Sequence, residues 1–190
     1  MKKNKFFTPV NMTVTAMLAA VSVVAYYFLE IPVSAHLKVN FADVPAVVGG
    51  LVISPFAAVV IILIRCVLHL FKTSTLGIGE TADFLIGTAM VIPFLAAFKF
   101  ALKIAKKGVA YAVAVCVGFA CAIIGGFAVN AVLYPIYMAF LGIPIESTEA
   151  FLTYIFGTSA TNALRSGMTF GVCAFLLPFT ERFRRLIKRG

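Results

Sequence analysis

Apolar runs separated by short polar segments repeat along the whole chain. Most of the runs approach about 20 residues, the length that a helix needs to cross the hydrocarbon core of a bilayer. The runs are continuously apolar instead of alternating, which argues against a membrane β-barrel. The pattern therefore predicts an all-α membrane protein with six transmembrane helices, near residues 9–30, 43–54, 55–71, 80–103, 108–136 and 150–180.

The segment 42–71 is predicted to hold two of these helices. A single helix of that length would reach about 45 Å at about 1.5 Å per residue, well beyond a hydrocarbon core of about 30 Å. Ser54 and Pro55 supply a break, because the residue before a proline is pushed away from helical geometry. A proline kink within one long helix is the alternative. We favour two helices, the first of them short.

Composition and charge agree with a membrane protein and predict its orientation. The chain is 62% hydrophobic and 12% charged, against roughly 25% charged in an average soluble domain. The formal net charge is +9, and most basic residues cluster at 2–5, 99–107 and 182–189. The positive-inside rule places all three clusters in the cytoplasm. We therefore expect one integral membrane domain over residues 1–190, with both termini cytoplasmic and no nucleic-acid partner.

Polar segments recur at the outer ends of the predicted helices. The most polar is TSTLGIGETADFLIG, residues 73–87, which lies between two apolar runs. The others follow the first helix, end the fifth helix near Asn130 and begin the sixth helix before Arg165. Polar groups at membrane depth are costly and usually line a cavity or pair with one another. These converging segments predict a ligand pocket on the extracellular side.

Each polar group also has a purely structural alternative. The hydroxyls of residues 73–75 could cap the fourth helix, with Glu80 in its first turn. Arg165 could pair with a carboxylate for stability alone, and Asn130 could bond to a neighbouring helix. The capping role is compatible with ligand binding, so these alternatives stay open.

Catalytic and metal-binding motifs are not expected in this sequence. The two histidines lack ligand-like spacing, and no Ser-His-Asp order, H-E-x-x-H or Walker P-loop occurs. The cysteines lie in apolar runs without a C-x-x-C pair, at Cys66, Cys116, Cys121 and Cys173. We therefore expect no catalytic residue, no metal site and no catalytic cofactor.

The first helix carries small residues that favour close helix packing. Ala16 and Ala20 are four residues apart on one face, and Ala19 lies beside them. Small residues at this spacing let two membrane helices approach closely. In a chain this small, with no energy source of its own, we interpret these alanines as a docking surface for a partner.

Four segments carry a family resemblance: HLKVNFADVPAVVGG, TSTLGIGETADFLIG, NAVLYPIY and NALRSG. They resemble the riboflavin-specific substrate-binding subunits of energy-coupling factor (ECF) transporters, over nearly the whole chain. The resemblance implies a six-helix subunit of the bacterial cytoplasmic membrane that captures riboflavin outside the cell with high affinity. Its implied partners are the transmembrane coupling protein EcfT and two ABC-type ATPases. Riboflavin would be a transported ligand, and the chain itself would not be an enzyme.

The resemblance also implies which residues bind riboflavin and which bind the partner. Apolar side chains of the first loop would cover the flat ring, amide and guanidinium groups would meet the pyrimidine edge, and carboxylates would meet the ribityl hydroxyls. Ala16 and Ala20 match the family's docking surface, with Ala19 beside them. The predicted ligand-binding residues are Leu37, Asn40, Phe41, Ala42, Asp43, Val47, Thr75, Gly79, Glu80, Asp83, Asn130 and Arg165.

Two positions depart from the family pattern, and two other functions stay open. Asp83 stands where asparagine is frequent and Arg165 where lysine is common, which leaves open whether a phosphorylated flavin is also accepted. A subunit for another vitamin, such as thiamin, is disfavoured by the aliphatic first loop and the absence of tryptophan. A stand-alone channel or small membrane enzyme is disfavoured because the inner half offers mainly small and apolar residues.

Overall fold

The computed structural model describes residues 8–32, 38–73, 75–144 and 147–187. Within these ranges the chain forms six α-helices and one short antiparallel strand pair, so the predicted all-α fold class is confirmed. The elements are α1 (Pro9–Phe28), β1 (Ile31–Pro32), β2 (Lys38–Val39), α2 (Asp43–Val52), α3 (Pro55–His69), a 3-10 turn (Leu70–Lys72), α4 (Ile78–Ala101), α5 (Lys107–Leu141) and α6 (Thr148–Ile187).

Five helices in the described ranges are long and apolar enough to cross a membrane: α1, α3 with its 3-10 turn, α4, α5 and α6. The chain is therefore a multi-pass membrane protein. Helix α2 has 10 residues and measures only about 15 Å, half of a core about 30 Å thick. The length criterion thus supports five of the six predicted spans, and α2 is a short helix packed against α1, α3, α4 and α6.

The break between α2 and α3 follows from Ser54 and Pro55. Pro55 is the first residue of α3, where its missing N–H costs nothing. Ser54 has extended backbone, and its Oγ accepts a hydrogen bond of 3.2 Å from the Ala57 N–H, which makes it an N-cap. Gly49 lets the two helices pack closely, since a Cβ added there would lie only 2.5 Å from Cδ1 of Ile61.

A closed apolar core fills the half of the bundle that contains the start of α5. Phe94 stacks on Phe170 with ring centroids 4.7 Å apart, and Tyr111 meets Phe94 edge-on. The Tyr111 hydroxyl donates a 2.5 Å hydrogen bond to the Phe170 carbonyl. Gly118 permits this packing, because a Cβ there would lie 2.7 Å from the Phe170 ring. Polar residues collect at the other end of the bundle.

Basic residues mark the end of the bundle opposite to the polar one. Lys107, the first residue of α5, pairs with Glu181 of α6 at 2.9 Å and so brings the segment 99–107 beside the end of α6. Asn130 lies about 35 Å further along α5, given a rise of about 1.5 Å per residue. The N-terminal lysines of the predicted topology lie outside the described residues.

Candidate ligand-binding site

A cavity of about 410 Å³ opens at the polar end between α1, α3, α4, α5 and α6. Its wall combines phenol rings, hydroxyls, amides and charged groups, a mixture suited to a ligand with both a ring and polar edges. Half of the predicted ligand-binding residues line it: Asn40, Thr75, Gly79, Asp83, Asn130 and Arg165.

The end of α1 supplies aromatic rings to this wall. Tyr26 and Tyr27 both line the cavity, and their ring centroids lie 4.5 and 5.5 Å from that of His69 on α3. Tyr154 of α6 lines the cavity as well and stacks on Tyr134 of α5 at 4.0 Å. Tyr26, Tyr27 and Tyr154 were not among the predicted ligand-binding residues, although their positions in otherwise apolar helices were an available signal.

Glu80 organises the connection between α3 and α4. One carboxylate oxygen lies 2.7 Å from Nδ1 of His69. The other accepts hydrogen bonds from the hydroxyls of Thr73 at 2.9 Å and Thr75 at 3.1 Å. Both Glu80 oxygens are therefore engaged by the protein, so Glu80 shapes the edge of the cavity by holding Thr75 and His69, which lie on its wall.

The start of α4 uses a left-handed turn. Leu76 and Gly77 have φ values of 55° and 87°, and Gly77 occupies the N-cap position without a side-chain cap. The Thr75 hydroxyl accepts a 3.1 Å hydrogen bond from the Gly79 N–H, so a threonine of the predicted capping group does satisfy a first-turn amide. Ser74, another member of that group, lies outside the described residues.

Two aspartates and two arginines form a closed ring of ion pairs beside the cavity. Asp43 of α2 accepts from Nη1 of Arg65 at 2.8 Å through one oxygen and from Nε of Arg165 at 2.5 Å through the other. Asp83 of α4 accepts from Nη2 of Arg65 at 2.7 Å and from Nη1 of Arg165. Each charge therefore has two opposite partners, and the ring ties α2, α3, α4 and α6 together.

Arg65 is the member of this ring that was not among the predicted ligand-binding residues. It stands within the apolar run AAVVIILIRCVLHLF, and its side chain is 1% exposed. An ionisable residue in the middle of a spanning segment is by itself a functional signal. Its guanidinium carbon also lies 5.5 Å from the centre of the Tyr26 ring, so Arg65 supports the cavity wall from behind.

The amide side of the cavity is built by α5 and α6. Asn130 lines the wall, and its Nδ2 donates a 2.8 Å hydrogen bond to the carbonyl of Gly126, one turn earlier. Asn162 of α6 lines the cavity too, and its amide packs directly on Gly126. Asn130 is thus on the wall while also bonding within its own helix, so the ligand-binding and structural interpretations are compatible.

Three predicted ligand-binding residues of the segment 41–47, namely Phe41, Ala42 and Val47, do not line the cavity. Ala42 and Val47 are fully buried in the core, and Phe41 packs against it. Ala42 is also fixed through its backbone, since its carbonyl accepts from Ser22 at 2.6 Å and its N–H donates to Asn40 at 3.1 Å. The described residues therefore do not provide the expected ring cover from this segment. Leu37 lies outside the described residues.

The three alanines of the predicted docking surface do not share one environment. Ala16 and Ala20 are exposed on one face of α1, whereas Ala19 is 1% exposed and belongs to the core. Rotation by about 100° per residue, which follows from 3.6 residues per turn, explains the difference. Ala16 and Ala20 can meet a partner in this conformation, and Ala19 packs inside the bundle.

The sequence matches the family described as "ECF transporter, substrate-specific component" over residues 10–177. The chain belongs to this family. Such a component is a transporter subunit and not a catalytic enzyme, in agreement with the expectation from the sequence.

The chain is also similar to two known proteins. The riboflavin transporter FmnP of Bacillus subtilis (strain 168) is 34% identical over 124 residues, which is 63% of this chain and 63% of the relative. The match thus spans less than two thirds of that relative's length. A solved structure described as the S component of a bacterial ECF transporter superposes with a TM-score of 0.71 at 18% identity, covering 90% of this chain and 95% of that one. At this identity the superposition shows the fold alone.

Proposed function

We propose that this protein is the riboflavin-binding subunit of an ECF-type vitamin transporter in the bacterial cytoplasmic membrane. The observation that carries the proposal is the polar cavity, with its tyrosine rings and amides, in a family member that is 34% identical to a riboflavin transporter. Riboflavin is the transported ligand, held with high affinity, and is not a catalytic cofactor.

The chemistry of the wall suits the parts of this ligand. Riboflavin joins a flat ring system to a pyrimidine edge, which has carbonyl acceptors and one N–H, and to a ribityl chain of hydroxyls. Tyr26 and Tyr154 offer ring faces for the flat part. Asn130 both donates and accepts, and Arg165 donates, as the pyrimidine edge requires. Asp83 and the loop around Thr75 remain for the ribityl hydroxyls.

Transport on this proposal needs partners. The cavity faces outward, the basic end faces the cytoplasm, and Ala16 and Ala20 dock onto the transmembrane protein EcfT, which two ABC-type ATPases drive. The basic residues of segments 99–107 and 182–185 support this orientation through the positive-inside rule. A small exposed surface on α1 supports the docking, because close approach strengthens helix packing in lipid.

A binding titration tests the function directly. The detergent-purified protein is titrated with riboflavin, followed by quenching of flavin fluorescence, and with thiamin as the competing vitamin. We expect saturable one-to-one binding of riboflavin, a flavin absorbance spectrum in protein purified from riboflavin-fed cells, and no displacement by thiamin.

A matched experiment addresses the competing functions. Tight binding of thiamin with no binding of riboflavin would replace the proposed ligand with another vitamin. Riboflavin uptake into vesicles by this chain alone, without EcfT and the ATPases, would instead support the stand-alone channel and contradict the proposed role.

A further inference from the structure

The four charges beside the cavity cancel one another. Asp43 and Asp83 each accept from two guanidinium groups, one at each oxygen, so both are ionised acceptors. Arg65 and Arg165 are permanently protonated. Two positive and two negative charges give the ring a net charge of zero, whereas Arg165 alone against both aspartates would leave one negative charge.

The members of the ring stand in two layers relative to the cavity. Asp83 and Arg165 line the wall. Asp43 and Arg65 have side chains 0% and 1% exposed and lie behind it, with Arg65 beneath the ring of Tyr26. A change of charge at Arg65 therefore reaches a ligand through the electric field, without removing a contact to that ligand. Such a field is screened less than the field between two exposed charges, because Arg65 and Asp43 are buried.

We propose that Arg65 is a specificity-determining residue of this site, because it keeps the ring neutral. Without Arg65 the two aspartates would outweigh Arg165, and the site would repel the anionic phosphate ester while leaving the uncharged flavin unaffected. The proposal rests on the function proposed above. It adds a physical reason for how the site distinguishes riboflavin from its charged phosphate ester. Arg65 also positions Arg165, because both arginines bond to the same two carboxylates. In the neutral ring the two aspartates balance the two arginines, so the ring exerts little net attraction or repulsion on a phosphate.

The size of the effect follows from Coulomb's law. At a separation of about 10 Å and an effective dielectric constant of about 40, one unit of charge changes the affinity for a singly charged anion about fourfold and for a doubly charged anion about sixteenfold. A phosphate ester carries about 1.5 to 2 negative charges at neutral pH. Each single change of ring charge should therefore alter the preference between the two flavins about tenfold.

The experiment measures the ratio of two dissociation constants, one for riboflavin 5′-phosphate and one for riboflavin, on the same preparation. Asp83→Asn gives the ring a net charge of +1, and the ratio should fall about tenfold relative to the parent. Arg65→Gln gives a net charge of −1, and the ratio should rise by a similar factor. The double variant Arg65→Gln, Asp83→Asn is neutral again, and its ratio should return to within about twofold of the parent value.

Arg65→Lys is the matched control, because lysine keeps the positive charge but cannot bond to Asp43 and Asp83 through two separate nitrogens. The ratio of the two dissociation constants in this variant should stay near the parent value. If Arg65 had a purely structural role, its replacement would weaken the binding of both flavins equally. The ratio of the two dissociation constants would then stay unchanged in every variant, which would overturn this proposal alone. A parent protein that binds neither flavin would overturn the proposed function and this proposal with it. Where Arg65→Gln does not fold, Asp83→Asn alone tests the same prediction with the opposite sign.

Discussion

Gly126 sets the position of the amide side of the cavity. A Cβ at this residue would collide with Nδ2 of Asn162 and lie 3.2 Å from its Cγ. Both Asn162 and Asn130 line the cavity, and Asn130 bonds to the Gly126 carbonyl. The atom in conflict is the end of a side chain that can rotate, so a larger residue here should displace the Asn162 amide without breaking the bundle.

Gly126→Ala should therefore weaken riboflavin binding without lowering stability. Loss or distortion of one neutral hydrogen bond costs about 0.5–1.5 kcal/mol, which corresponds to roughly a fivefold rise in the dissociation constant. Gly167→Ala on α6 is the matched control, because a Cβ there would meet no atom within 4 Å. Fluorescence titration and thermal unfolding of both variants in detergent check the prediction. Parent-like affinity in Gly126→Ala would show that the Asn162 amide makes no contribution to binding.

Six of the twelve predicted ligand-binding residues line the cavity. Some of them stood out as polar residues in an apolar context, where burial in lipid without a purpose is costly. Asn130, Asp83 and Arg165 were found in this way. The pairing of Asp43 with Arg165 was not predictable, since 122 residues separate them and only the placement of the helices brings them together. The same reason hid the role of Arg65.

At the scale of elements, the α3–α4 connection combines a tight turn with a set of hydrogen-bonded side chains. Leu76 and Gly77 both adopt positive φ, a conformation that glycine adopts without strain and that is strained for leucine. The glycines of TSTLGIGE predicted a turn, but its handedness depends on how Glu80 draws Thr73 and Thr75 towards the start of α4. The local pattern thus indicates where the chain turns, and contacts across the loop decide how.

Opposite effects are expected from two adjacent substitutions in this turn. Gly77→Ala should lower the free energy of unfolding by about 1–2 kcal/mol, because a Cβ is strained in the left-handed region and would also lie 3.3 Å from Leu70. Leu76→Asn should leave stability unchanged or raise it, because asparagine tolerates this region and the Leu76 side chain is 62% exposed. Thermal unfolding in detergent gives both values. Equal destabilisation by the two substitutions would contradict the strained-turn account.

For the whole molecule, the apolar pattern was sufficient to predict an all-α membrane fold, because hydropathy and length determine which segments cross a bilayer. The count of six spans stays a prediction, because α2 has only 10 residues and packs against four other helices. The resulting bundle separates two surfaces. The cavity lies at one end, and the exposed face of α1 with Ala16 and Ala20 lies nearer the start of that helix. Ligand capture and partner docking can therefore be tested independently.

The double variant Ala16→Trp, Ala20→Trp should retain riboflavin but lose its transport partners. Two indole rings on this face would hold a neighbouring helix away, and van der Waals packing is the main force that joins helices in lipid. The cavity lies at the C-terminal end of α1, with Tyr26 about 9 Å along the helix from Ala20, and it should keep the parent dissociation constant. Ala112→Trp, Ala120→Trp adds the same bulk to exposed positions of α5 and serves as the control. Co-purification with EcfT and the ATPases, together with riboflavin uptake by cells, distinguishes the two variants. Normal assembly and uptake by the α1 variant would show that the partner docks elsewhere, and loss of assembly in both variants would remove any special role for the α1 face.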